Sequence, residues 1–240
     1  MTYLNFAKLA ATDDKAFRRT QPYPWLAEEG FLTDEGYREL VATLPPVAML
    51  NPFFGVRRSH GQEAHDRYVL EYREGLDLSP AWHAFVEELK GDAYARFVRR
   101  MFGRGRLQFT LHWHYTPNGC SVSPHCDAKR KLGSHIFYFN TEQDWRPEWG
   151  GETLVLDDNG RFDRKSAPKF EQFDRSYTAP SVGNRSLLFA RGEKSWHGVR
   201  EIRCPEGAMR KVFIVVVNDR TLMLARQTAA WFTGKRAASY

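Results

Sequence analysis

Cysteine is scarce: Cys120, Cys126 and Cys204 are the only three in 240 residues, and no two of them form a CxxC pair. An odd number without that spacing points away from a disulfide framework and from a structural zinc site. No run approaches the roughly 18 apolar residues of a membrane span, so no membrane association is expected. The opening MTYLNFAKLA lacks the basic flank, apolar stretch and cleavage site of a secretory leader. The expectation is a cytoplasmic protein. Internal repeats, heptads, low-complexity tracts and long Pro/Gly/Ser linkers are missing too, which excludes solenoids, coiled coils and chains of tethered domains. Neither GxxxxGKS/T nor GxGxxG occurs, so the common phosphate-cradling loops are absent.

What remains is an ordinary globular composition: 42% apolar, 14% aromatic and 27% charged, in a chain long enough to bury a sizeable core. Lysine and arginine number 35 against 29 acids, a net charge of +6. Basic residues gather at Arg99, Arg100, Arg104 and Arg106 and again at Lys129, Arg130 and Lys131. That admits an anionic substrate or nucleic acid without requiring either, since short runs of this kind are ordinarily solvated faces.

The hydrophobic period changes along the chain. Residues 33–44 place Tyr37, Leu40, Val41 and Leu44 at helical spacing behind a Thr33 cap. Residues 79–102 open on Ser79-Pro80 and carry two helical runs on either side of Gly91, which predicts two helices end to end. From Leu107 onward the runs are short and β-rich (QFTLHWHY, HIFYFN, GGETLVLDDNG, SLLFA, KVFIVVVN), separated by turn residues. This reads as a mainly β protein with N-terminal helices, its core an antiparallel jelly roll. The expected division is residues 1–106 as supporting strand and helices, 107–220 as the core and 221–240 as a closing helix, all in one integrated domain. The polar stretch over 158–183 is expected to be a long loop on the substrate rim, together with Lys129, Arg130 and Lys131.

The chemistry centres on His125-Cys126-Asp127. Residues two apart on an extended strand share a face, so this imidazole and carboxylate can reach one ion. A third ligand from a distant strand, with His197 in SWHGV as the candidate, completes a 2-His-1-carboxylate face suited to non-haem Fe(II). Cys126 points the other way and is read as a spectator. Arg210 opens an otherwise apolar strand and calls for an anion, its guanidinium fork matching a carboxylate; Arg203 is the alternative anchor. His112 and His114 offer a rival pair at the same spacing, as in a cupin, although Pro117 and Asn118 stand where such a site would add a Glu.

Taken together these stretches resemble the Fe(II)- and 2-oxoglutarate-dependent dioxygenases, in particular their prolyl-4-hydroxylase-like branch. The resemblance covers roughly residues 22–218. It rests on His125-x-Asp127, GSHIFYFN, WGGET at 149–153, NRSLLF before His197, Arg210, and the N-terminal PYPWLAEEGFLTDEGYREL. It implies that His125, Asp127 and His197 hold iron and that 2-oxoglutarate chelates it with its distal carboxylate on Arg210. Tyr138 and Tyr115 are implied to contact the co-substrate as well. O2, with ascorbate as an optional accessory, would complete the cofactor set. The implied reaction is hydroxylation of an unactivated C–H bond with release of succinate and CO2, because Asp127 keeps the carboxylate that related halogenases replace. The substrate would be a protein side chain such as prolyl, or a small metabolite such as an amino acid. Nucleic acid is disfavoured, since the RxNxTxR pattern of the repair dioxygenases is missing after His197. Oligomeric state is not legible. The competing class is a non-catalytic, cupin-like metal- or ligand-binding module.

Overall fold

Caps written into the sequence set the helices. In the computed structural model, which describes residues 1–224 apart from 57 and 104, α1 (Phe6–Ala11) and α2 (Asp14–Arg19) start behind Asn5 and Asp13, whose side chains accept from first-turn N–H groups. Strand β1 (Trp25–Glu29) leads to α3 (Asp34–Ala42), where the Thr33 hydroxyl takes the Gly36 N–H at 3.1 Å. Strands β2 (Asn51–Phe53) and β3 (Arg67–Glu71) pair with each other across a long connection. Pro80 begins α4 (Pro80–Lys90), and an extended Gly91 separates it from α5 (Asp92–Phe102), the end-to-end pair that the spacing predicts.

The remaining strands are β4 (Leu107–Pro117), β5 (Val122–His125), β6 (Lys131–Tyr138), β7 (Thr153–Asp157), β8 (Arg175–Ala179), β9 (Arg185–Ala190), β10 (His197–Val199) and β11 (Met209–Asp219). They form a seven-stranded sheet ordered β1-β9-β6-β11-β4-β3-β2 and a four-stranded sheet ordered β5-β10-β7-β8. Every ladder is antiparallel. This is the jelly-roll arrangement with helices gathered on one side.

Period-2 alternation sorts the large sheet into two faces. On one, Leu111, Trp113 and Tyr115 of β4, Phe213, Val215 and Val217 of β11, Phe137 and Leu188 join Trp82, Phe85, Leu89, Phe97 and Val98 of α4 and α5 in the main core. Trp82 is fully buried and meets Trp113, Phe85, Phe139 and Phe213 ring to ring, between 4.9 and 5.8 Å. On the opposite face, His112, His114 and Thr116 of β4 and Arg210, Ile214 and Val216 of β11 line a cavity that the small sheet closes from the other side. Burial of the helix-facing rows orients the sheet, and the cavity-facing rows are then free to carry polar groups.

One sequence expectation is revised and another is seen only in part. The stretch over 158–183 is not simply a loop: Arg175–Ala179 add to the edge of the small sheet as β8, and Phe162, Phe170 and Phe173 pack on Leu154, Leu156 and Trp196. None of its residues lines the cavity. Aromatic side chains interspersed among its charges give it a core of its own, which a reading of it as polar overlooks. Of the closing helix expected over 221–240, only Thr221–Leu224 are among the described residues, and they are helical; the rest of that expectation, and Arg104 of the first basic cluster, lie outside the described residues.

Candidate metal centre

Strand pairing brings the two histidines together. His125 ends β5 and is the direct register partner of His197 at the start of β10, with ring centroids 4.3 Å apart. Asp127 follows β5 by two residues, and its backbone carbonyl accepts from Arg191 Nε at 3.3 Å. One ligand atom from each of the three lies within 4.8 Å of the others, and all three residues are buried.

The donor set suits a divalent ion. His125 Nδ1 donates to the Ser123 carbonyl at 2.9 Å and His197 Nδ1 to the Ser195 carbonyl at 3.0 Å. A carbonyl can only accept, so Nδ1 carries the proton on both rings and each Nε2 keeps its lone pair for a metal. Burial, then the neighbouring His197, His65 and Arg58, holds the His125 pKa well below its ordinary value; burial lowers that of His197 against the opposing pull of Asp127. Burial would raise the Asp127 pKa, but Lys131, whose ammonium lies 2.6 Å from Oδ1, and His197 bring it below the usual carboxylate range. Two neutral imidazoles and one ionised carboxylate are the ligands that non-haem Fe(II) takes, with positions left open for other groups.

The cavity above these residues has a volume of about 450 Å³. Arg210 enters it from the first residues of β11, 5% exposed. Its Nε donates to the Gly151 carbonyl and an Nη donates to Thr153 Oγ1 at 3.1 Å. Both belong to the WGGET turn. Gly151 has a φ of +94°, and a Cβ there would stand 3.2 Å from Arg210 Cδ, so the second glycine of the motif is what lets the arginine lie along the turn. The bonds of Arg210 to neutral groups leave its charge to be met by an anion in the cavity.

The two tyrosines part company. Tyr138 is buried beside Arg210, with the guanidinium 5.4 Å from its ring centroid, and its hydroxyl donates to Thr153 Oγ1 at 2.9 Å. It reaches the cavity through Thr153 rather than lining it. Tyr115 is not brought to the cavity at all: alternation on β4 turns it to the helix side, where its hydroxyl donates to the Pro45 carbonyl at 2.9 Å. Arg203, the alternative anchor, has an 81% exposed side chain and pairs with Glu201 at 3.3 Å. His112 and His114 line the cavity, yet no third histidine, cysteine or acid joins them in a metal-type cluster among the described residues. Cys126 borders the cavity and directs its thiol to the Glu193 carbonyl.

Several polar residues of the site escape the sequence reading, among them Arg58, His65, Ser123 and Thr153. His65 lies against His125, with ring centroids 4.7 Å apart and planes tilted by 60°, and meets Ser123 Oγ at 3.1 Å and Arg58 at 2.6 Å. Burial, with Arg58 and Arg67 beside it, pushes the His65 pKa down to about 2. No spacing marks these residues in RRSHGQEAHDRY, because the connection between β2 and β3 follows no period. Thr153 was accessible from alternation along TLVLD.

Residues 109–217, from β4 to β11, match the model of the 2OG-Fe(II) oxygenase superfamily. They form a 2-oxoglutarate- and Fe(II)-dependent oxygenase domain. The domain's co-reactants are Fe(II), 2-oxoglutarate and O2, and the chain is a 2-oxoglutarate-dependent dioxygenase. No curated protein matches it in sequence. Among solved structures it is similar to a prolyl-4-hydroxylase of Pseudomonas putida, 18% identical over 88% of this chain and 98% of that one, with a TM-score of 0.60. It is also similar to the prolyl hydroxylase of Trichoplax adhaerens, solved in complex with a hypoxia inducible factor oxygen degradation domain peptide fragment: 14% identity, 90% and 91% coverage, TM-score 0.61. A third is SnoK, a non-heme alpha ketoglutarate dependent carbocyclase from nogalamycin biosynthesis: 11% identity, 91% and 92% coverage, TM-score 0.58. At these identities the likeness carries the fold, and this chain spans nearly all of each of these three. No helix among the described residues is long and apolar enough to cross a membrane.

Proposed function

We propose that this dioxygenase hydroxylates an unactivated C–H bond, R–H + 2-oxoglutarate + O2 giving R–OH + succinate + CO2, with His125, Asp127 and His197 as the iron ligands and Arg210 as the co-substrate anchor. The observation that carries the reading is the buried His125–Asp127–His197 cluster, its Nε2 lone pairs directed by backbone carbonyls, in one cavity with a buried arginine bonded only to neutral groups.

Bound Fe(II) with 2-oxoglutarate supplies activation of O2 and the two electrons that decarboxylation releases. The chain's own residues do the positioning. Ser123 and Ser195 carbonyls fix the two imidazoles, and Lys131 holds Asp127 Oδ1 at 2.6 Å, so that Oδ2 is the oxygen presented to the ion. Arg210 grips the distal carboxylate of the co-substrate. Thr153 Oγ1 accepts from both Arg210 and Tyr138, so its own hydrogen is left to donate to the same carboxylate. Tyr138 acts as a brace and Tyr115 as a part of the core. Ile136, Phe189, Ile214 and Val216 give the cavity apolar walls, which exclude water from the reacting carbon.

The reading includes one integrated domain, a cytoplasmic setting compatible with three free cysteines, and ascorbate as an accessory reductant. It is tested by anaerobic addition of Fe(II) and 2-oxoglutarate to the apo-protein, watching for the weak visible charge-transfer band of the chelate. The band is expected in the wild type, absent in His125→Ala and weakened in Arg210→Ala. A wild type that shows no band under any metal loading would return the case to a cupin-like binding module built on His112 and His114.

A further inference from the structure

The charge facing the cavity is one-sided. Among the described residues, five permanent cations border it, Arg58, Arg67, Arg130, Lys131 and Arg210, against the single carboxylate of Asp127. Lys131 is answered by Asp127, and Arg210 by the co-substrate in the reading above. Arg58 is answered by neither. It lies in the connection between β2 and β3, half-buried. Its Nε donates to Gln62 Oε1 at 3.4 Å and its Nη1 to His65 Nδ1 at 2.6 Å. A guanidinium has no acceptor, so His65 Nδ1 must be the unprotonated nitrogen, and the opposite Nε2–H then points at Ser123 Oγ. Both partners of Arg58 are therefore neutral. The acid whose field reaches it is Asp127, whose charge a bound metal would take up.

The position of this arginine matters as much as its charge. His65, which it holds, lies against the metal ligand His125, so an anion on Arg58 would sit one side chain away from the iron site. Arg210 belongs to β11, with its partners on the turn before β7. The two cations thus come from different walls of one cavity, and Phe53 and Val56, close in sequence to Arg58, add apolar surface at the Arg58 end. A cavity of about 450 Å³ is of the size that encloses small molecules. An uncharged prolyl ring would leave Arg58 half-buried with no counter-ion among the described residues, which costs binding energy rather than adding to it.

We propose that the substrate of this oxygenase is a small organic acid, its carboxylate held by Arg58 and its carbon skeleton lying between Phe53, Val56 and the metal ligands. This rests on the oxygenase reading of the site and narrows it to a substrate class.

The test is calorimetric titration of the Fe(II)-loaded full chain, kept free of oxygen, with hexanoate and with hexanamide. Wild type (saturated with 2-oxoglutarate), Arg58→Gln, Arg58→Lys and Arg210→Gln are compared, and 2-oxoglutarate is titrated separately into each. Hexanoate is expected to bind about tenfold more tightly than the amide in wild type and in Arg210→Gln, the worth of one charge-assisted pair. The preference is expected to vanish in Arg58→Gln and to be partly kept in Arg58→Lys, while 2-oxoglutarate affinity falls in Arg210→Gln alone. Equal binding of acid and amide by the wild type overturns the proposal. So does a preference that survives Arg58→Gln, or a loss of 2-oxoglutarate binding in that variant. Failure of the wild type to bind 2-oxoglutarate would sink the oxygenase reading instead, and the acid-against-amide comparison in Arg210→Gln would still decide whether Arg58 reads a carboxylate.

Discussion

Arg210 and Tyr138 share one hydroxyl. Both donate to Thr153 Oγ1, at 3.1 and 2.9 Å, while the guanidinium lies 5.4 Å from the tyrosine's ring centroid. The three side chains come from β11, β6 and β7, so this one hydroxyl joins the two sheets.

Thr153→Val removes the shared acceptor and keeps the shape. A buried tyrosine hydroxyl and one guanidinium hydrogen lose their partner, and the cavity loses a donor. We expect 2-oxoglutarate affinity to fall by about tenfold, in line with about 1–2 kcal/mol for such bonds, and by more in Arg210→Gln. Calorimetric titration of the three proteins measures it; equal affinity in Thr153→Val and wild type would refute the shared-hydroxyl role.

Tyr115→Phe separates the two tyrosines. Its hydroxyl bonds the Pro45 carbonyl on the helix side, so the change should cost about 1 kcal/mol of stability and leave 2-oxoglutarate affinity as it was. Denaturant unfolding and a 2-oxoglutarate titration together check this. A drop in affinity would show that Tyr115 does serve the co-substrate.

Metal should stabilise the fold through the cluster. At about one hundred times the dissociation constant, Fe(II) or a redox-inert substitute should add about 2.7 kcal/mol, read as a rise in melting temperature that a chelator reverses. In His125→Ala and Asp127→Ala the rise should be lost, while Cys126→Ser should keep it.

Acid should weaken the fold through its buried histidines. His135, fully buried between Tyr94 and Ser186, has its pKa pushed down to about 3 by burial. Below the ordinary histidine value of about 6.5 the unfolded chain takes up a proton that the folded chain refuses. Stability is therefore complete above that value and declines as pH falls towards 3, by about 1.4 kcal/mol per pH unit for each such histidine. Unfolding free energies from pH 8 to 4 should trace this slope, and His135→Phe should make it shallower even though it leaves Tyr94 and Ser186 without their partner.

Much of this was legible in the residues. Helical spacing marked α3, α4 and α5; the β-rich runs gave the strands of the core; and i, i+2 spacing paired His125 with Asp127. Arg210 and His197 were legible because each stands out against its surroundings, a charge opening an apolar strand and an imidazole after a short turn. Tyr115 was misplaced although its parity on β4 is opposite to that of His112 and His114, a clue present in the sequence. Arg58 and His65 were out of reach, because they sit in a connection without period and arrive at the site only when β3 pairs with β4. The aromatic packing of the 158–183 stretch was hidden for a related reason: its phenylalanines are spaced irregularly and meet only around Trp196.

The direct register of His125 with His197 also bears on the kinetics of folding. Neither β5 nor β10 holds both imidazoles by itself, and the pair closes across the strands β6 to β9 that lie between them in sequence. Closing so long a loop is entropically costly until the large sheet has already brought its ends near. An ion binding at this point ties β5 to β10 after that cost has been met, so it arrives as a late fastener of the small sheet. Metal should accordingly slow unfolding far more than it speeds folding.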